Sequence, residues 1–204
     1  MTTNRTIDLP QPAYSGGVSV EEALNQRRSV REYTERPLSL NEASQLLWAC
    51  AGTSAVTGAT RTYPSAGGLY PLEFYLVAGN VQEVTPGVYL YTQTGHSLQP
   101  VKHGDFRKEL AHAALGQRWI AQAPACLVIA AVYRKTTRVY GERGRVRYVH
   151  MDAGHSAQNI YLEAAALGLG TVAIGAFNDE MVKQVLGLTR AEPLYLFPVG
   201  EPGE

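Results

Sequence analysis

The run Ala125-Cys-Leu-Val-Ile-Ala-Ala-Val-Tyr133 constrains the fold more than any other part of the chain. A strand with one face in water alternates apolar and polar residues. This one does not alternate, so it reads as a central strand covered on both faces. Glu73-Phe-Tyr-Leu-Val-Ala78 is a second strand by its aromatic and β-branched content. Val88–Thr92 and Ser97–Val101, joined through Thr94-Gly95, complete an antiparallel meander. A short strand over Thr171–Gly175 and a last one over Leu194–Val199 are also expected.

Helices are marked by their start signals. Ser19-Val20-Glu21-Glu22 and Ser39-Leu40-Asn41-Glu42 both have the Ser-x-x-Glu spacing of a capping box. The first predicts a helix ending near Arg27; the second opens a helix with Leu40, Ala43, Leu46, Leu47 and Cys50 on its buried stripe, ending at Gly52. Further helices are expected over Asp105–Leu115, around Trp119 and Ile120, and from Asn178 or Asp179 to Leu186. The strongest runs over Val149–Leu167, with Ala153, Ser156, Ala157, Ile160, Ala164 and Leu167 on one face. Its many alanines would let another helix approach closely. Residues 1–18, with Pro10, Pro12, Gly16 and Gly17, read as an extended arm of the kind that wraps a neighbour, ahead of one domain over 19–204.

Composition narrows the function. The 204 residues carry 18 basic and 18 acidic side chains, which argues against nucleic acid or an anionic membrane as main partner. No apolar run is long enough to span a bilayer, and no signal peptide is evident at Met1, so a cytoplasmic location is expected. Cys50 and Cys126 sit in apolar surroundings and read as core residues. His150 and His155 are five apart, on different faces of a helix, so no metal site is expected. Arg134–Arg147 is rich in arginine but lacks interleaved stacking aromatics and reads as a solvated basic loop. Gly168-Leu-Gly170-Thr-Val-Ala173 fits a dinucleotide fingerprint only in letters, because its glycines end a helix instead of opening one.

Two stretches carry chemistry. Arg27-Arg28-Ser29-Val30-Arg31 gathers three guanidiniums and a hydroxyl, a donor set suited to a small oxygen-rich anion. Pro64-Ser65-Ala66-Gly67-Gly68-Leu69-Tyr70-Pro71 combines flanking prolines with a glycine pair, which suits a loop of fixed shape that another group can approach.

With Tyr140-Gly-Glu-Arg-Gly144, Asp152-Ala-Gly-His-Ser-Ala-Gln-Asn159, Gly168-Leu-Gly170 and Gly175-Ala-Phe177, these stretches resemble the flavin-dependent nitroreductase superfamily, and within it the SagB-type branch that includes azoline dehydrogenases. The resemblance extends from Ile7 to Gly200. It implies an α+β fold with a mixed, mainly antiparallel sheet flanked by helices, built as an intertwined homodimer. It implies FMN at the dimer interface, with Arg27 and Ser29 at the phosphate and ribityl end and Arg31 at the pyrimidine edge of the ring. Pro64, Ser65, Ala66, Gly67 and Gly68 would line the ring from the partner chain, and Gly175 and Ala176 would offer backbone N–H groups near N5.

The implied activity passes hydride or electrons from NAD(P)H, or from a substrate C–H, through FMN to a small acceptor. No catalytic side chain is then expected beyond those that position the flavin. The pattern departs from relatives in three places. Gly68 stands where many nitroreductases have Asn. No Lys/Arg pair follows the last strand, so Arg28 or Arg118 is expected to assist Arg27 and Ser29 at the phosphate. The Lys-Tyr pair of azoline dehydrogenases is Val139-Tyr140 here, with Lys135 and Arg138 nearby. Peptide azoline oxidation, and flavin binding without turnover, are the alternative readings.

Overall fold

A computed structural model describes residues 5–203. Its centre is a seven-stranded sheet in the order β1-β4-β3-β2-β5-β7-β6. The strands are β1 (Ile7–Asp8), β2 (Leu72–Ala78), β3 (Gly87–Thr92), β4 (Ser97–His103), β5 (Ala125–Ala131), β6 (Gly170–Thr171) and β7 (Glu192–Gly200). All six neighbouring pairs are antiparallel. Parallel pairing occurs only as the isolated bridges Ser29–Thr171 and Leu38–Val81 among the described residues.

The apolar run predicted to be central is β5, paired on one side with β2 and on the other with β7. All seven of its residues are buried. Leu127 and Ile129 point into one core, Cys126 and Val128 into the other. The first core lies under α2 (Leu40–Ala51) and α6 (Val149–Ala166); the second lies under α3 (Arg107–Ala113), α4 (Trp119–Gln122) and α7 (Asp179–Leu186).

Both capping boxes form. In α1 (Val20–Gln26) the Ser19 hydroxyl accepts from the Glu22 N–H while the Glu22 carboxylate accepts from the Ser19 N–H, and Ser39 and Glu42 repeat this at α2. Each cap stabilises its helix by about 1 kcal/mol. The helix predicted over Asp105–Leu115 is trimmed to Arg107–Ala113, because the Asp105 carboxylate turns back to the Arg107 N–H and guanidinium.

The described part of the arm packs on its own chain: Ile7–Asp8 pairs with Leu98 and Ser97, and the Ala13 N–H donates to Gln45. The arm's first four residues lie outside the described ones. The basic stretch 134–147 is not a loop but helix α5 (Arg134–Tyr140) followed by a π-helical turn, Gly144–Tyr148, leading into α6. It buries only Thr136 and Gly144, so it shows no apolar period from which a helix could be read. The strand expected over Thr171–Gly175 pairs only at Gly170–Thr171, with Ile174 bridging Leu196 beyond a break.

Helix α6 organises the loops. Its inner face carries Val149, Asp152, Ala153, Ser156, Ala157, Ile160 and Ala164. The Ser156 hydroxyl donates to the Cys50 carbonyl at 2.7 Å, and the Asn159 amide donates to the Ala49 and Thr62 carbonyls. Near its start, Asp152 accepts from the Ser65 hydroxyl at 2.5 Å and from the Ala66 N–H at 3.3 Å. Burial pushes the Asp152 carboxyl up, and these two bonds only partly oppose that. At the helix's far end the chain re-enters the sheet through Gly170, where an added Cβ would lie 2.6 Å from the Val30 Cβ.

These packings predict two outcomes. Gly170→Ala should destabilise the protein by about 1–3 kcal/mol, because Val30 is held to the Thr171 carbonyl by its own N–H and cannot withdraw freely. A shift of less than 0.5 kcal/mol in urea unfolding would mean that Val30 yields. For Asp152 the folded pKa lies above the unfolded value of about 3.9. The native state therefore holds this proton more tightly than the unfolded chain, and that contribution, full below pH ~4, is lost as pH rises through the folded pKa. Asp152→Asn, which stays neutral and can still accept from Ser65, should gain stability relative to wild type between pH 3 and 7; a pH-independent difference would exclude the shift.

Candidate functional site

The arginine cluster follows α1, whose last turn is closed by the Arg27 N–H donating to Ala23. From there the backbone runs extended beside β6. The Val30 N–H donates to the Thr171 carbonyl at 2.9 Å, and Ser29 bridges Thr171 in parallel. Extended backbone turns Ser29 and Val30 to opposite sides. Val30 packs on Gly170, while the Ser29 hydroxyl meets the Tyr161 hydroxyl of α6 at 3.0 Å.

Tyr161 was not singled out in the sequence, yet it ties three predicted features together. Its hydroxyl accepts from the Ala173 N–H at 2.8 Å, and the Arg27 guanidinium lies 5.1 Å from its ring centroid. Arg27 is thereby held at a defined position by a cation–π contact. A cavity of about 150 Å³ opens here, lined by Arg27, Arg28, Tyr161, Ala165, Gly168 and Thr171.

Arg31 lies at the other end of the strip. Its guanidinium sits 5.9 Å from the Trp119 ring, and Gln117, two residues before Trp119, donates to the Ala176 carbonyl at 2.9 Å. Arg31 and Gly175-Ala176 thus adjoin the same short segment. Arg118 falls there too; it does not line the cavity beside Arg27, whereas Arg28 does. Tyr33 fixes the backbone between: its hydroxyl is within hydrogen-bond distance of the Val30 and Pro198 carbonyls, and burial pushes its pKa up, so it remains a protonated donor.

The donor set is unspent. Among the described residues Arg27, Arg28 and Arg31 form no ion pair, although Arg36, Arg107, Lys183 and Arg190 all do. Gly175 and Ala176 are exposed, and their N–H groups donate to no other group among the described residues. Three free guanidiniums, a hydroxyl and two free amides along one strip fit a ligand with an anionic phosphate at one end and carbonyl or ring-nitrogen acceptors at the other.

The Pro64–Gly68 loop stands apart from this strip. It is anchored at the start of α6, through Asp152 to Ser65 and Ala66 and through the Pro64 carbonyl 3.3 Å from His155 Nδ1. The Ser65 hydroxyl also accepts from the Tyr70 N–H, closing the loop on itself. Gly67 has φ +60°, where a side chain would be strained, and an added Cβ would lie 2.6 Å from the Tyr140 hydroxyl, which would have to shift. From Asp152 to Tyr161 is nine residues, about 13 Å of helix. Within one chain, then, the loop and the arginine strip are held at separate levels of α6.

A larger cavity of about 570 Å³ lies elsewhere, between α1, Trp48 and the outer side of α6, and no predicted site residue lines it. Its charged lining is Arg61 and Glu163, whose carboxyl is pushed up by burial. Asp152, the second positioning residue not recognised from sequence, did leave a signal: it is a carboxylate on the inner stripe of an alanine-rich helix, in register with Val149 and Ser156.

The same chain can be compared with known proteins. The family model described as Nitroreductase family matches residues 24–201. A nitroreductase-family protein of Methanocaldococcus jannaschii is 49% identical over 183 residues, covering 90% of this chain and 91% of that one. The microcin B17-processing protein McbC of Escherichia coli is 24% identical over 190 residues, with 88% and 70% covered. The FMN reductase [NAD(P)H] of Bacillus subtilis is 25% identical, and the match spans 91% of this chain but 66% of that protein. Among solved structures, one of a nitroreductase-family protein from Ralstonia eutropha superposes with a TM-score of 0.85 at 29% identity, covering all of this chain and 92% of the other. No helix among the described residues is long and apolar enough to cross a membrane. With its residues 24–201 matched and its fold shared, the chain belongs to the nitroreductase family.

Proposed function

We propose that this protein is an FMN-dependent oxidoreductase of the nitroreductase type that takes electrons from NAD(P)H and passes them to a small acceptor. The observation that carries this reading is the strip of guanidiniums of Arg27, Arg28 and Arg31, without ion pairs among the described residues, alongside the free N–H groups of Gly175 and Ala176. The likeness to an FMN reductase [NAD(P)H] supports the choice of cofactor and donor. When bound, FMN would supply the two-electron chemistry at its ring; the protein's part is to hold and tune that ring.

Arg27, with Arg28 beside it, and the Ser29 hydroxyl would bind the phosphate end. Tyr161 would keep Arg27 and Ser29 in place through its ring and hydroxyl. Arg31 would set a positive charge at the pyrimidine edge, which favours the reduced, anionic form. The free N–H groups of Gly175 and Ala176 would face the N5 side. The 150 Å³ cavity is small beside the ~300–1,000 Å³ of ordinary cofactor sites. Together with the ~13 Å offset of the Pro64–Gly68 loop, this supports an intertwined homodimer in which each chain lends that loop to its partner's ring. A cytoplasmic location belongs to the same reading and is supported by two buried, unpaired cysteines.

Azoline oxidation is the second reading, favoured by the likeness to McbC and by the position of Tyr140 against Gly67. Against it stands Val139 where a lysine base is expected. Lys135 of α5, whose ammonium donates to the Tyr70 carbonyl at 3.2 Å, is a cation held against the end of the loop that begins at Pro64.

Purified protein should bind FMN, turn yellow, bleach with NADPH or NADH under anaerobic conditions and recover colour with a quinone. Protein that takes up no FMN would overturn the proposal; yellow protein that no nicotinamide bleaches would leave a flavin-binding module. Arg27→Ala should weaken FMN binding at least tenfold, since each charge-assisted hydrogen bond contributes about 1.5–3 kcal/mol. Tyr161→Phe keeps the ring under Arg27 but leaves the Ala173 N–H without its acceptor, and should weaken FMN about five- to tenfold in fluorescence titration. Unchanged affinity in both variants would remove the strip from the site.

A further inference from the structure

The two ends of the arginine strip are built alike. The Arg27 guanidinium lies over the Tyr161 ring of α6, 5.1 Å from its centroid, and the Arg31 guanidinium lies over the Trp119 ring of α4, 5.9 Å from its centroid. The two rings differ in how their polar atoms are used. The Tyr161 hydroxyl is bonded to Ser29 and Ala173, whereas the Trp119 Nε1–H is shut off from solvent and has no hydrogen-bond partner among the described residues. An unpaired buried donor costs stability, and an aliphatic side chain would pack on the second core without that cost. The indole offers what an aliphatic chain does not, the best cation–π face of any side chain, and Arg31 sits over it.

Trp119 itself is well fixed. It is half-buried against the second core, and the Ala123 N–H donates to its carbonyl. Two residues earlier, the Gln117 amide ties the segment to the Ala114 and Ala176 carbonyls at 3.0 and 2.9 Å. Arg31 is the opposite: its side chain is exposed and forms no ion pair among the described residues. A long side chain free in water samples many rotamers, and ordering it costs entropy. A ring beneath the guanidinium removes part of that cost before any ligand arrives.

Building on the proposed function, which sets Arg31 at the pyrimidine edge of FMN, we propose that Trp119 is the positioning residue for that charge: it holds the Arg31 guanidinium in place and thereby raises the preference of the site for reduced over oxidised flavin. A guanidinium that is already ordered spends none of its attraction on being ordered when negative charge gathers at the ring. Packing alone would leave the choice of an indole at this position, with its unpaired N–H, without a purpose.

The test is the ratio of FMN dissociation constants in the oxidised and reduced states, read without turnover from fluorescence titration and from the midpoint potential of the bound flavin by spectroelectrochemistry. Arg31→Ala should lower this ratio about tenfold, or about 30 mV for a two-electron couple. Trp119→Leu should lower it about three- to fivefold, while Trp119→Phe, which keeps a ring under the guanidinium, should stay within about twofold of wild type. Trp119→Met, which loses less volume than Trp119→Leu, should match it and serves where that variant does not fold. In the Arg31→Ala background Trp119→Leu should change the ratio by less than about twofold, because the group it positions is gone. A ratio unmoved by Trp119→Leu and Trp119→Met would overturn the proposal. So would an equal drop with and without Arg31, the mark of a packing role. Wild-type protein that takes up no FMN would defeat the proposed function and this inference with it. Protein that binds FMN and bleaches with NADPH or NADH, yet shows no coupling between Trp119 and Arg31, would overturn this inference alone.

Discussion

The double-sided burial of β5 is the constraint on which the rest of the structure depends. Each of its residues from Ala125 to Ala131 is buried, and successive side chains enter opposite cores. Neither face can meet water, so helices must cover both, and both edges must pair, which β2 and β7 do. The helices on the first core include α6, which anchors both the Pro64–Gly68 loop and the arginine strip. The short helices on the second core carry the segment around Gln117 and Trp119 that flanks Arg31 and Ala176.

Helix α6 acts as a spacer with two attachment points. Near its start a buried carboxylate, Asp152, holds the Pro64–Gly68 loop; about two and a half turns on, a phenol, Tyr161, holds Ser29 and Ala173. Both attachments are polar groups whose hydrogen-bond partners come from distant sequence, so each fixes backbone that has little regular structure of its own. Burying the Asp152 carboxyl costs stability, which Ser65 and Ala66 partly offset. The loops are held in place as a result, as the proposed cofactor site requires.

Much of this was legible beforehand. The two capping boxes located their helices to within a residue because their signal is local, lying wholly within four residues. The meander and the central strand were legible for the same reason. The glycine-proline loop was legible as backbone of fixed shape, and the arginine stretch as a run of guanidiniums, which form no ion pair among the described residues. The basic segment 134–147 was misread as a loop because a helix that buries only one of its residues, Thr136, leaves no periodicity to find. Pairing of the arm with β4 was equally hidden, since two residues of strand carry no pattern.

By itself, the sequence determined most of the elements apart from α5 and β1, the central strand and the residue types of the candidate site. Those follow from residue type and spacing within a few turns of chain. Only the tertiary structure decided that Tyr161 unites Arg27, Ser29 and Ala173, that Asp152 anchors Ser65, and that the loop and the arginine strip lie at separate levels of one helix. These are contacts between residues 87 to 134 positions apart, apart from the Tyr161–Ala173 bond. They exist only because the sheet and α6 bring the segments together, and no local pattern encodes that.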